Sequence, residues 1–436
     1  MTTYIVTGLG YGDEGKGSVV DYLSRQGSTV VVRHNGGPQA GHNVVTDDGR
    51  HHTFSQFGSG TFAGAKTFLS RFMLINPLNM MKEADHLIDL GEDTVMARTF
   101  VDENAVLITP WHVILNRLAE EFRGDGRHGS CGEGVGEAME QQIQYGELTL
   151  RVKDFNPRVP LAGSGLVDRM ERLRQYLMQC GARRGVAAGP TFELLCDPHL
   201  VRFLAKKYRE WHQSVRVVPS DYLDVMIDGH DHIVFEGAQG VLLDEWRGFH
   251  PYTTWSTTTH DNALELLWDT GRLGHKAIKY GVTRAYMTRH GPGPFVTEDS
   301  DLCFSEPHNV MHPWQGGFRQ GHLDLVALRY AIKVCGGVDR LAVTHLDRAD
   351  NWRVCRRYES MDEITPSEEK DLDHQARLTA RLQKEVPVYG DTVCAEELVE
   401  TLEEDGGPVG LLSYGPTASG KKVTDDSLVS SLVCGG

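Results

Sequence analysis

Residues Gly8 to Asp21 read GLGYGDEGKGSVVD and hold the residue types that phosphate chemistry needs: closely spaced glycines, a lysine and two carboxylates. Gly10, Gly12, Gly15 and Gly17 let the backbone come close to an anion. A helix starting here would add free amides and the positive end of its dipole, and Lys16 a mobile charge. Gly10 to Lys16 fits the G-x-x-x-x-G-K part of a P-loop, but Gly17 stands where a P-loop has the hydroxyl that holds magnesium. Asp13 and Glu14 inside an anion cradle cost Coulomb repulsion unless one of them holds a metal or takes a proton in the reaction. A second Gly-rich stretch, HNGGPQAGHNVV, carries His42, an imidazole suited to donating a proton to a phosphoryl group in a facing cradle. Carboxylate, imidazole and ammonium around one phosphoryl group make a coherent transfer centre.

These groups need elements that bring them together. Tyr4 to Thr7 is a short apolar run that reads as a strand, and Val19, Val20 and Leu23 give the following segment a helical period. Val30 to Arg33 is a second strand, so both Gly-rich loops leave the carboxyl ends of neighbouring parallel strands, where open sheets bind ligands. Helical patterns cover Ile75 to Leu90, Pro110 to Phe122, Leu166 to Gln179 and Thr191 to Trp211, with a short strand at Val106 and Leu107. Arg123 to Glu137, with six glycines, predicts a mobile loop long enough to close over a site. His232 to Phe235 predicts a strand entering EGAQG, and Ala277 to Tyr286 and Arg340 to Thr344 predict two more with the helix Leu323 to Val334 between them. Glu359 to His374 reads as a surface excursion. Val409 to Tyr414 reads as a last strand, entering GPTASGKK, a second partial P-loop. The expected fold is α/β, one large domain over residues 1–436 on a mainly parallel central sheet, with insertions over roughly 76–230 and a variable surface excursion over 359–405.

Composition narrows the function classes. Of 436 residues 40% are hydrophobic, enough for a sizeable core, and the formal net charge of -16 argues against general binding to nucleic acid or anionic membrane. Eight cysteines without a C-x-x-C pair suit reduced thiols in the cytoplasm. No apolar run approaches the roughly 20 residues that span a bilayer, and the N-terminus enters a strand without a signal peptide.

Five blocks in order, GYGDEGKGSVVDYL, VVRHNGGPQAGH, FEGAQGVLLD with PYTTWSTTT, GVTRAYMTRHGPGPFVTE, and HLDLVALRY with LAVTHLD, resemble the adenylosuccinate synthetase family. That resemblance implies a homodimeric α/β enzyme that uses GTP and Mg²⁺ to phosphorylate the 6-oxo group of IMP and then displaces the phosphate with the amine of aspartate. It implies Asp13 as the base that removes the ring proton and as a magnesium ligand with the backbone oxygen of Gly41, His42 as the acid on the γ-phosphate side, and Lys16 as its neutralising charge. Gly12, Glu14, Gly15, Gly17, Asn43, His345, Asp347, Ser413, Gly415 and Pro416 would meet the nucleotide, with Asp347 accepting from the guanine edge and Lys421 and Lys422 solvated. Gln39, Ser130, Cys131, Gln239, Thr254 and Arg319 would meet the acceptor or the amino donor.

The chain departs from the family in its partner-binding loops. Where the family has a sequence like GTTGRGIGPAY for the 5'-phosphate, this chain has GSCGEGVGEAM, with Cys131 for a threonine, Glu133 for an arginine and Tyr145 for an arginine that would cross the dimer. Charge-assisted contacts are worth roughly 1.5 to 3 kcal/mol each, so a 5'-phosphate is poorly provided for unless Arg123, Arg127 or His128 replaces them. In HNVMHPWQGGFRQG only Arg319 remains of an arginine run that would clamp aspartate, and His345 replaces a lysine. The expected activity is a GTP-dependent carbon–nitrogen ligase acting on a purine-like acceptor and an amino donor. The rival readings are the orthodox family reaction, a kinase that stops at the phosphorylated oxygen, and a regulatory paralogue that holds nucleotide without turnover.

Overall fold

The computed structural model describes residues 1–424 apart from 128, 162, 273–275, 307–313, 315, 349–351 and 368–369. Its centre is a ten-stranded sheet: β1 (Thr2–Gly8), β2 (Thr29–Arg33), β3 (Lys66–Leu69), β4 (Thr99–Asp102), β5 (Arg216–Val218), β6 (His232–Gly240), β7 (Ala277–Arg284), β8 (Arg340–Thr344), β9 (Val409–Ser413) and β10 (Lys421–Val423). The spatial order is β10-β9-β8-β7-β1-β6-β2-β3-β4-β5, and every pairing is parallel except β9 with β10. Parallel strands covered on both faces read as unbroken apolar runs, as Val30, Val31 and Val32 do. Successive side chains point to opposite faces. Ile5, Val30 and Val32 therefore pack with the helices Tyr222–Asp228 and Asp261–Asp269, while Val6 and Val31 pack with Val19, Val20 and Leu23 of α1 (Lys16–Ser24).

Between β3 and β6 the chain builds a second core around Trp111, Tyr208 and Trp211 from α2 (Pro77–Asp89), α3 (Pro110–Arg123) and later helices, while α4 (Val135–Gln144) packs through Val135 and Ala138 with Leu74, Val106 and Ile108. Several elements differ from the sequence expectation for local reasons. Thr191 to Trp211 is two helices, Pro190–Cys196 and His199–Ser214, because Pro198 lacks an amide hydrogen and keeps Asp197 extended at φ -74°, ψ 109°. Of the described residues in the Gly-rich stretch 123–137, only 127 and 129–134 are irregular, between a 3-10 turn at Gly124–Gly126 and the start of α4. The helix after Leu323 starts at Leu325, where the Asp324 carboxylate accepts from the Ala327 amide at 3.0 Å. GPTASGKK leads into one further strand, β10. Lys421, expected in solvent, is only 7% exposed and donates to the carbonyls of Gly415 at 2.9 Å and Thr417 at 3.0 Å.

Because the strands are parallel, Gly8, Arg33, Gly240, Arg284, Thr344 and Ser413 all end on one edge of the sheet. From β1 the chain moves to β2 and β3 on one side and later to β7, β8 and β9 on the other, so the crevice beyond β1 is the topological switch point.

Candidate active site

That crevice is a cavity of about 600 Å³. The loop from Gly8 to Lys16 forms its floor, and a carboxylate shapes it. Glu14 is folded back, its Oε1 accepting from the amides of Gly10 at 2.9 Å and Gly12 at 2.8 Å while Oε2 lies 2.5 Å from Lys16 Nζ. Gly240 of β6 closes the turn, since a Cβ there would stand 2.2 Å from Gly10 O and 2.5 Å from Glu14 Oε1. Glu14, expected at the nucleotide, therefore lies behind the wall and braces the loop, whereas Gly12, Gly15, Lys16 and Gly17 line the cavity.

The missing P-loop hydroxyl has a steric cause. A Cβ on Gly17 would come within 2.8 Å of His42 Cβ and 3.2 Å of Ser59 Oγ, so any side chain there would push His42 away from the helix N-terminus. His42 opens a hairpin strand, His42–Val45 paired with His51–Phe54, and its Nδ1 donates to Glu236 Oε1 at 2.5 Å. Glu236 is fully buried in β6 and also accepts from the Ser59 amide at 2.9 Å and the Ser59 hydroxyl. Burial would raise the Glu236 carboxyl, but Arg33, His42 and Ser59 outweigh it and hold it at about 2. Burial keeps His42 below the usual imidazole range despite Glu236. The neutral ring thus carries its hydrogen on Nδ1, leaving Nε2 as the nitrogen for the cavity. Phosphate charge brought to Nε2 favours its protonation.

Asp13 sits beside a histidine that sequence reasoning missed, with Oδ2 3.2 Å from His290 Nε2. Its backbone oxygen accepts from Arg284 Nη1 at 3.2 Å, and Arg284 also pairs with Glu306. Burial raises the Asp13 carboxyl, but His290, Arg284 and Lys16 together lower it below the ordinary range, so it is ionised at neutral pH. Among the described residues only three non-glycines have positive φ, Asp13 at 60°, Gln239 at 57° and His345 at 61°, and all three line this cavity. Backbone held this way costs about 1 to 3 kcal/mol per residue and concentrates where side chains must be aimed.

The strands beyond β7 supply one end. His345 and Asp347 follow β8, Ser413 ends β9, and Gly415 and Pro416 follow it. His345 is edge-on to Tyr286, 5.7 Å between ring centres, and burial with Arg284, Arg348 and Lys421 holds it neutral, well below its usual range. The Asp347 side chain is 39% exposed, with Arg348 Nε 4.0 Å away. The strands on the other side of β1 supply the opposite end: Gln39 and Gly41 after β2, Gln239 and Leu243 at and after β6, and Cys131 and Glu133 from the loop between α3 and α4. Both polar atoms of the Gln39 amide and Oε1 of Gln239 are buried without a hydrogen-bond partner among the described residues. Asn43 also lines the cavity, accepting from Thr53 Oγ1 at 2.6 Å.

Three expected substrate residues lie outside the wall. The Ser130 hydroxyl donates to Asn116 Oδ1 at 2.9 Å, the Thr254 amide donates to Leu243 O at 2.8 Å, and Arg319 donates to the carbonyls of Gly291 and Gly293, both at 3.0 Å, and to Glu298 at 2.7 Å. Tyr145 packs against Tyr176, Arg123 pairs with Glu120, and His128 lies outside the described residues. Glu236 was findable, since a carboxylate inside an otherwise apolar strand requires a partner. Nothing in the local pattern marks Glu306. The Asp13 carboxylate and Gly41 carbonyl are hard oxygen donors on residues that line the cavity, the kind of ligand Mg²⁺ takes together with water and phosphate oxygens.

The adenylosuccinate synthetase family profile matches residues 5–404. An adenylosuccinate synthetase of Brevibacillus brevis is 30% identical, covering 95% of this chain and 97% of its own, and one of Chlorobium chlorochromatii is 32% identical, covering 81% and 79%. The fold is similar to that of fully ligated adenylosuccinate synthetase from Plasmodium falciparum, with TM-score 0.75 and 20% identity over 97% of this chain and all of the other. It is also similar to cyanophage S-2L succinoaminodeoxyadenylate synthetase bound to dGMP and dATP as an energy donor, with TM-score 0.59 and 18% identity over 99% and 98%.

Proposed function

The chain belongs to the adenylosuccinate synthetase family of carbon–nitrogen ligases, and from that premise we propose that it uses GTP to phosphorylate a purine-like 6-oxo oxygen. An amine, aspartate or a related amino donor, then displaces that phosphate, giving GDP and phosphate. Asp13 removes the ring N–H proton, and the electron density released onto the oxo oxygen makes it the nucleophile for the γ-phosphorus. His42 Nε2 and Lys16 stabilise the charge on the γ-phosphoryl oxygens as the bond to the leaving GDP breaks. Mg²⁺, held by Asp13 and the Gly41 carbonyl, would neutralise phosphate charge. The family typically works as a cytoplasmic homodimer, and the same is proposed here; no described helix is long and apolar enough to cross a membrane.

The observation that best supports this reading is His42, oriented by Glu236, in the same cavity that Asp13 lines, because a protein that only holds nucleotide has no use for an oriented acid together with a base. The orthodox substrates, IMP and aspartate, are the second reading, favoured by the near full-length relatives. The cyanophage neighbour's dGMP and dATP widen the acceptors and energy donors worth assaying.

The test is a screen for phosphate release with GTP or ATP, purine-like 6-oxo acceptors, and aspartate or other amines. Release is expected only when acceptor and amine are both present, with GTP preferred. Asp347→Asn is expected to shrink the GTP-to-ATP rate ratio by about tenfold or more, as loss of a charge-assisted bond does. Acceptor-dependent GDP formation that needs no amine and releases no phosphate would indicate a kinase, and faster initial rates with ATP in the wild type would refute the role of Asp347.

A further inference from the structure

The cavity's cations are concentrated on the β1 loop and on the β7 and β8 side, and they are already engaged. Lys16 pairs with Glu14, Arg284 with Glu306, and Arg348 Nη1 donates to Ser305 O at 2.7 Å. At the opposite end, formed after β2 and β6 and by the loop between α3 and α4, no described lysine or arginine of those segments lines the wall. A carboxylate does. Glu133 Oε2 accepts from Asn79 Nδ2 at 2.8 Å and Oε1 lies 3.5 Å from Arg117 Nη2. Two of the roughly four lone-pair directions of that carboxylate are thereby used, which leaves capacity for a donor in the cavity.

Burial raises the Glu133 carboxyl while Arg117 and Lys82 act to lower it, but neither cation lines the cavity wall where an anionic ligand would meet it. Arg117 is committed to Glu133, to the Gly132 carbonyl at 2.9 Å and to the face of Trp314 at 5.6 Å. Burial, with Glu133 adding to it, pushes the Cys131 thiol up to about 12, so it stays protonated and is at best a weak donor. The Ser130 hydroxyl is turned to Asn116, and Arg319, outside the cavity wall, gives three of its five N–H donors to two carbonyls and Glu298. What this end does present is the unpartnered amide of Gln39 and the free carbonyl of Gln239, an arrangement that matches the alternating N–H and C=O of a lactam ring.

Resting on the ligase reading above, we propose that the acceptor is a purine-like lactam that carries no phosphate group and whose distal end donates a hydroxyl or amine hydrogen to Glu133. The acceptor is thus at the level of a nucleoside, and Glu133 is the residue that excludes its phosphate monoester.

Calorimetry with a matched pair, inosine and inosine 5'-monophosphate, in the presence of a non-hydrolysable GTP analogue and Mg²⁺, tests this directly. Wild-type protein should bind inosine about tenfold or more tighter than its monophosphate. Glu133→Gln, which keeps the size and can still accept from Asn79, should bring the ratio to within about threefold, and Glu133→Arg should reverse it. Tighter binding of the monophosphate by the wild type, a ratio that Glu133→Gln does not move, or no binding of either compound while the GTP analogue binds would each overturn the proposal. Titration of the GTP analogue alone confirms that each variant is folded. The ligase reading fails by a separate result, absence of any acceptor- and amine-dependent GTP turnover across the screen.

Discussion

Asp13→Asn is expected to lower kcat by about 10²- to 10⁴-fold, the usual contribution of a positioned general base, while leaving nucleotide affinity measured without Mg²⁺ nearly unchanged. Asparagine is the informative replacement because it tolerates the left-handed conformation that Asp13 adopts at φ 60°. The backbone oxygen can then still accept from Arg284, and the loop amides still close on Glu14. What is lost is the carboxylate that takes the ring proton. Steady-state rates, with calorimetry of a GTP analogue as the control for folding, separate the two effects. A loss of activity under threefold would show that the proton leaves the acceptor by another route.

The second large effect is expected at the buried pair. Glu236→Gln exchanges an acceptor for a group that can present its amide hydrogens to His42 Nδ1, which favours the wrong tautomer and places the hydrogen on Nε2 without a balancing charge behind the ring. Removing such an orienting carboxylate from an imidazole can cost up to about 10⁴ in rate. The expected loss here is on the order of 10² to 10⁴, with His42→Ala similar. Because the two side chains act as a unit, the double variant should be little worse than either single one. The same substitution has a stability signature. Glu236 is held at about 2 when folded against 4.5 for a free glutamate, so its stabilising contribution is complete above about 4.5 and is lost as pH falls toward 2. His42, buried and below its ordinary 6.5, adds a loss that begins as pH falls through 6.5. Glu236→Gln should therefore be less stable than wild type at neutral pH and lose less additional stability between pH 4.5 and 2, read by denaturant midpoints across that range. Equal activity in the single variant, or losses that multiply in the double, would remove Glu236 from its role behind His42.

The fold was legible wherever burial leaves a mark on composition. Val30 to Val32 announce a strand covered on both faces, and the Gly-rich loops after β1 and β2 announce the edge of the sheet where ligands sit. The short outer strands Thr99–Asp102 and Arg216–Val218 escape the same reading, since three or four residues show no usable period. In the site, the residues on contiguous loops were readable and those paired across the chain were not. Asp13, Lys16 and His42 lie in two short stretches, but Arg284 and Glu306 meet through tertiary contact alone. Gly17 was visible as an oddity, and its reason, the Cβ of His42 at 2.8 Å, exists only in three dimensions. Lys421 shows the opposite failure: its charge suggested solvent, yet the turn it closes gives its ammonium two carbonyl partners.

The central claim is that the acceptor's own oxygen leaves as phosphate, and one isotope measurement reads this without reference to any variant. The acceptor is prepared with oxygen-18 at its oxo group and turned over with GTP, Mg²⁺ and the amine, and the inorganic phosphate is analysed by mass spectrometry. One atom of oxygen-18 per phosphate is expected, because the oxo oxygen attacks phosphorus and departs with it when the amine adds to carbon. Phosphate free of label, with the label recovered in water or retained in the product, would contradict activation of that oxygen by phosphorylation.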